Sequence, residues 1–198
     1  MKKLFVVVLI VSVLVSCTSG RKEYVEAAKP IVNNLEQIGA ELEKSVEAIK
    51  KDGISITEFE AKIQSLEKRL TTEKESFNHL KTPLEMDLIH KNIMEAIAAE
   101  ELAISAIKSY ATRKNMYQLA ERQLSELNRE EAELLSQKEK ASKDEKTKNR
   151  LSKISVEKAN LTKQKEGLLS EMDSQIKFYN NSHEYFTKML SSMKRGLK

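Results

Sequence analysis

The chain reads as all-α, a four-helix bundle base extended by a long antiparallel two-helix coiled-coil hairpin, and three observations predict it. Its 198 residues contain only five glycines and two prolines, so few turns separate few, long elements. Residues with low helix cost dominate, and no aromatic or β-branched run bounded by turn residues follows the first apolar segment. Apolar side chains recur at steps of three and four, which places them on one side of a helix.

The first helix is expected at about 30–51. Ile31, Leu35, Ile38, Leu42, Val46 and Ile49 form its stripe, and Asp52-Gly53 ends it. Pro30 suits a first helical position, where its missing N–H has no intrahelical partner to lose. Residues 17–29 are therefore assigned to a tether, although Tyr24, Val25 and Ala28 would also extend the stripe backwards. A second helix, about 56–81, opens on the capping box Ser55…Glu58 and carries Phe59, Ile63, Leu66, Leu70, Phe77 and Leu80. Thr82-Pro83 stops it, because proline disfavours helical geometry in the preceding residue. Thr82, Pro83 and Glu85 then predict the start of a third helix, about 83–138.

The segment from Lys138 to Arg150 has Ala141 as its one apolar residue and reads as a bend with its tip near Ser142–Lys148. A fourth helix, about 148–194, carries Leu151, Ile154, Leu161, Leu168, Met172, Ile176, Tyr179, Phe186 and Leu190 at nearly heptad spacing. The two ends of this hairpin differ. Ile89, Ile93, Ile97, Ile104 and Ile107 are flanked by Ala96, Ala99, Leu102, Ala103, Ala106 and Tyr110, a wide apolar surface that needs several neighbours. Beyond Tyr117 the stripe narrows to Ala120, Leu124, Leu127 and Leu134, with Lys158 and Lys165 at seam positions opposite, so one partner helix suffices there. Gly39 and Gly167 fall inside helices, each costing about 1 kcal/mol relative to alanine.

The N-terminus carries a separate signal. Met1-Lys2-Lys3 is a short positive start, Leu4 to Val15 is almost wholly apolar, and Leu14-Val15-Ser16 precedes Cys17, the one cysteine. The apolar run falls short of the roughly 20 residues a membrane-crossing helix needs, so it reads as an export signal covering residues 1–16. Leu14, Val15, Ser16 and Cys17 resemble the lipobox of bacterial lipoproteins. The resemblance implies that Cys17 takes a diacylglyceryl group, that cleavage before it makes it residue one, and that its amine is acylated. It also implies a bacterial cell envelope, lipid-anchored: the outer membrane in a diderm cell, where Thr18 after the cysteine fits, or the outer face of the plasma membrane in a monoderm one. The rest of the chain resembles, in layout alone, the small helical envelope lipoproteins of unassigned function. That likeness implies no site residues.

Loss of the leader removes Lys2 and Lys3 and no acid, leaving 32 basic against 30 acidic side chains. Lysine and glutamate alternate through most of the chain, which disfavours a nucleic-acid partner. No second cysteine is available for a disulfide. Asp87 and His90 stand one helical turn apart, as paired metal ligands do in helical bundles, but no second copy of the spacing exists. His183 has Asn180 where an acid would be needed, and no inward glutamate is evident on the flanking helices. His79 and His183 read as boundary residues and His90 as a hydrogen-bonded neighbour of the Met86–Ile93 stripe. There is no nucleophile motif and no phosphate-binding glycine loop. The sequence thus predicts no enzyme and no cofactor. The matches to the glycosylation sequon at Asn160 and Asn180 carry no weight in a bacterium.

Phe178, Tyr179, Tyr185 and Phe186, like Tyr110 and Tyr117, recur at seven-residue spacing and are assigned to the core. Lys188, Lys194, Arg195 and Lys198 suit a helix C-terminus, and the basic bend around Lys140, Lys143, Lys146 and Lys148 reads as a solvated turn. The expected function is a membrane-anchored helical spacer or protein-interaction module that binds an envelope protein or its own copy through the coiled coil. The alternative is a small-ligand or lipid-binding bundle with the alanine-rich centre and the fourth-helix aromatics lining a cavity.

Overall fold

A computed structural model describes the backbone of residues 2–138 and 145–197, and the side chains of 20–136 and 145–197. The described residues form four α-helices, α1 (Lys2–Lys50), α2 (Ile56–Asn78), α3 (Asp87–Lys138) and α4 (Glu145–Gly196), with a 3₁₀ turn, Leu84–Met86, ahead of α3. The protein is all-α, as its sequence predicts. Two compact units divide it: Met1–Ala106 with Phe178–Lys198, and Ile107–Lys177. Of the bend expected at residues 138–150, 139–144 lie outside the described residues, whereas Lys138 ends α3 and 145–150 already belong to α4, which begins three residues before the expected 148.

In the first unit parts of all four helices meet. The predicted α1 stripe, Ile31, Leu35, Ile38, Leu42, Val46 and Ile49, is buried throughout, and so are Phe59, Ile63, Leu66, Leu70 and Phe77 of α2. Ile93, Ala96, Ile97, Ala103 and Ile104 of α3 and Tyr179, Phe186 and Leu190 of α4 complete the core. Leu102, expected in the wide surface, is instead exposed. It lies about 200° around the helix from Ile104, on the opposite face.

The starts of α1 and α3 differ from the expected ones, whereas α1 closes at Asp52-Gly53 as its sequence predicts. The tether assigned to 17–29 is helical, and α1 runs unbroken through Pro30. Pro30 sits on the solvent side, where the Glu26 carbonyl that lacks its N–H partner faces water, while Tyr24 and Ala28 are buried and carry the stripe back by nearly two turns. At the other end of α1, Asp52 adopts φ 54° and not Gly53. Gly53 N–H reaches Ala48 O at 2.9 Å, a Schellman-type closure with aspartate in the left-handed position. Thr82 does not cap α3: its hydroxyl donates to Leu80 O at 3.3 Å, and a 3₁₀ turn precedes the α-helix. Ser55 does cap α2, its Oγ accepting from Glu58 N–H at 3.1 Å.

In the second unit two helical segments face each other along the narrow seam the sequence predicts. Ala120, Ile154 and Leu168 are buried, whereas Leu124, Leu127, Leu134 and Leu161 are only half-buried. Charged side chains bridge the flanks. Lys158 binds Glu131 at 2.7 Å, Lys165 binds Glu121 at 2.9 Å and lies over the Tyr117 ring, and Arg113 binds Glu171 at 2.5 Å. Arg150 makes two hydrogen bonds of 2.6 Å to Glu130 and reaches Glu157 as well. The lysines at seam positions thus lay their stems along the seam and place their charges at its rim.

Candidate functional site

The residues that resemble a lipobox, Leu14, Val15, Ser16 and Cys17, belong to α1, and their side chains lie outside the described residues. Among the described residues no helix is long and apolar enough to cross a membrane.

The polar centre of the first unit is a pair the sequence reading missed. Glu100 of α3 is fully buried, and its two carboxylate oxygens lie 3.1 and 3.0 Å from Nδ1 of His183 on α4. His183 is of intermediate burial, as a boundary residue would be, but its ring reaches inward to a glutamate of α3 that the sequence reading did not single out. Both positions continue the apolar steps: Glu100 falls three residues after Ile97 and four before Ile104, and His183 falls between Tyr179 and Phe186. The helical period thus turns them toward the core, where a charged residue survives only with a partner.

Burial pushes the Glu100 carboxyl up, and the hydrogen bond and charge of His183 offset this only in part. Burial by itself would push the His183 imidazole down, but the hydrogen bond and charge of Glu100, with a smaller contribution from Glu43, outweigh it and the net direction is up. Both shifts describe a pair that keeps one proton over the middle of the pH range and so buries no net charge. Tyr179, one turn before His183, stacks on its ring at 5.4 Å and 12°. Its buried hydroxyl has no hydrogen-bond partner among the described residues. Burial, with the negative charges of Glu100, Glu43 and Glu47, holds that phenol protonated.

Gly39 of α1 explains its own presence here. A Cβ at that position would lie 2.7 Å from Cε1 of Phe186 and 3.4 Å from Cε1 of His183, so only glycine lets α4 approach. The aromatic group of α4 divides accordingly. Tyr179 and Phe186 are core, as expected, while Phe178 and Tyr185 are nearly half exposed. Each seven-residue pair lies about 100° around the helix from the other, and only one can face inward.

His90 belongs to a second cluster. Its ring stacks on Phe77 at 4.5 Å and its Nδ1 is 3.2 Å from the Tyr24 hydroxyl. Burial lowers the basicity of His90, partly opposed by Asp87, and pushes the Tyr24 phenol up to about 12. Asp87 itself pairs with Lys91 at 2.7 Å. Among the described residues no group of three or more His, Cys, Asp or Glu is placed to hold a metal ion. What the buried polar groups do chemically is hold protons between neighbours and fix which faces of α3 and α4 meet.

The fold and its interior describe an all-α protein whose bundle core is organised around one neutralised carboxylate–imidazole pair. No family model, no curated protein and no solved structure matches the chain.

Proposed function

We propose that the protein is a lipid-anchored component of a bacterial cell envelope, acting as a non-catalytic helical spacer or protein-interaction module. The observation that carries the reading is the run Leu14-Val15-Ser16-Cys17 behind a basic and then apolar leader. Acyl chains on Cys17 would supply the attachment, since one chain anchors marginally and two or three hold durably. The interior of the first unit supports a structural role: buried Glu100 pairs with His183, and Phe186 fills the space opposite Gly39. In the second unit, ion pairs along both flanks of the seam suit a stiff helical arm.

The partner in this reading is an envelope protein or a second copy of the chain, met through the helix pair. The deciding experiment is intact-mass analysis of the detergent-extracted protein. A mass matching Cys17–Lys198 plus a diacylglyceryl and an acyl group is expected, and Cys17→Ser abolishes it. A free thiol on Cys17 refutes the anchor. Thermal shift against an envelope lipid extract separates the spacer from a ligand-binding bundle, because a ligand that binds only the folded state raises the midpoint.

A further inference from the structure

Among the large hydrophobic residues of the first unit, Leu84 and Leu88 are the most exposed, at 91 % and 70 %. Single exposed leucines are ordinary on protein surfaces. These two stand four residues apart at the same end of the unit, Leu84 in the 3₁₀ turn and Leu88 in the first turn of α3. Their neighbours inward, Met86 and Ile89, turn toward the core or the end of α4: Met86 is buried, and a Cβ on Gly196 would lie 3.1 Å from Cδ1 of Ile89.

The same end of the bundle receives the start of the described side chains. Gly20 packs on Pro83, where a Cβ would lie 3.7 Å from Pro83 Cγ, and Gly20, Tyr24, Leu80, Thr82 and Pro83 line one groove. Cys17 is three residues before Gly20. Three residues span about 4.5 Å as helix and no more than about 11 Å fully extended. Acyl chains on Cys17 would therefore leave the chain no more than about 11 Å from Gly20, which packs on the proline beside Leu84.

From this juxtaposition we infer that the bundle end bearing Leu84 and Leu88 is a membrane-contacting face, with both leucines seated in the interfacial layer of the bilayer that holds Cys17. The inference rests on the lipid anchor proposed above and adds to it a defined orientation of the first unit. Charge at this end is close to balanced. The nearby sequence supplies Arg21, Lys81 and Arg195 against Glu23 and Glu85, while Lys22 and Lys91 are paired with Glu26 and Asp87. The contact is accordingly apolar in origin, and it persists at high salt.

The test uses a single thiol placed at the face. Leu84→Cys is made in the full chain, where an acylated Cys17 contributes no thiol, and its labelling rate by a membrane-impermeant maleimide is measured in isolated membranes. The reference is Glu60→Cys, an exposed position on α2. The ratio of the two rates is compared with the ratio in the soluble mature chain carrying Cys17→Ser. The face is supported when anchoring lowers the ratio by about tenfold or more, in low and high salt alike. An unchanged ratio together with an acylated Cys17 by intact mass overturns the face and leaves the anchor standing. An unacylated Cys17 overturns both. A ratio already low in the soluble chain, and rising on dilution, overturns the bilayer as occupant and assigns the face to a second copy.

Discussion

Removing His183 from the bundle core is expected to be the most informative single perturbation of the fold. Glu100 has no exposed surface and both its oxygens face the imidazole, so His183→Ala leaves a carboxyl with no comparable partner in an apolar interior. Breaking a buried pair from one side costs about 3–5 kcal/mol, and the lost stacking on Tyr179 adds roughly 0.5–1 kcal/mol. A loss of about 4 kcal/mol at neutral pH lowers the urea midpoint by about 1.3 M if the slope is about 3 kcal/mol per molar. Glu100→Gln keeps the shape and one hydrogen bond, and is expected to cost about 1–2 kcal/mol.

The pH dependence separates the two variants by sign. In His183→Ala the Glu100 carboxyl is raised further by burial, so the folded state keeps a proton that the unfolded chain releases at its ordinary value of 4.5. Stability then falls as pH rises from 4.5, and the penalty relative to the parent grows between pH 4.5 and 6.5. In Glu100→Gln the imidazole loses the hydrogen bond and charge that held it up, burial pushes it below its ordinary 6.5, and stability falls as pH drops below 6.5. Its penalty therefore shrinks over the same interval. Urea unfolding followed by circular dichroism at pH 5.0, 5.75 and 6.5 reads both trends. Penalties that move in the same direction, or a His183→Ala chain within about 0.5 kcal/mol of the parent, would refute the one-proton pair. Replacing both residues by leucine should restore much of the midpoint lost in His183→Ala, because no lone buried charge remains.

The two helical glycines are expected to respond in opposite directions. Gly39→Ala meets Phe186 at 2.7 Å and should lose about 1–2 kcal/mol by overpacking, whereas Gly167→Ala meets nothing within 4 Å and should gain up to about 1 kcal/mol; paired urea curves check both. Tyr179→Phe removes a buried hydroxyl without a described partner and should leave stability unchanged or raise it by about 1 kcal/mol in the same assay. Ser55→Ala removes the cap on Glu58 N–H and should cost about 1 kcal/mol, read as a lower thermal midpoint. Arg150→Ala breaks pairs whose members are more than a third exposed, so its effect on unfolding of the second unit should be small and vanish in 1 M NaCl.

Much of this architecture is legible in the residues themselves. The stripes of α1 and α2, the Ser55 cap and the narrowing of the seam beyond Tyr117 follow from local spacing and turn chemistry, and each of these was open to reading without coordinates. The Glu100–His183 pair was legible in period too, since both residues fall on apolar steps, but residue type argued against it. A glutamate on a core step is tolerated only when a partner on another helix meets it, and no local pattern specifies which residue 83 positions away does so.

The sequence by itself determined the all-α class, most of the helix-forming stretches and the buried stripes of α1 and α2. Those properties depend on periodicity and propensity. Only the tertiary structure decided that Tyr24 and Ala28 carry α1 through Pro30, that Gly39 is required beneath Phe186, that Phe178 and Tyr185 turn outward, and that Leu84 and Leu88 stand exposed while Gly20 packs on Pro83. Each of those outcomes is set by which faces of separate helices meet, and burial against a neighbouring helix outweighs a proline or a glycine that would weaken the helix alone.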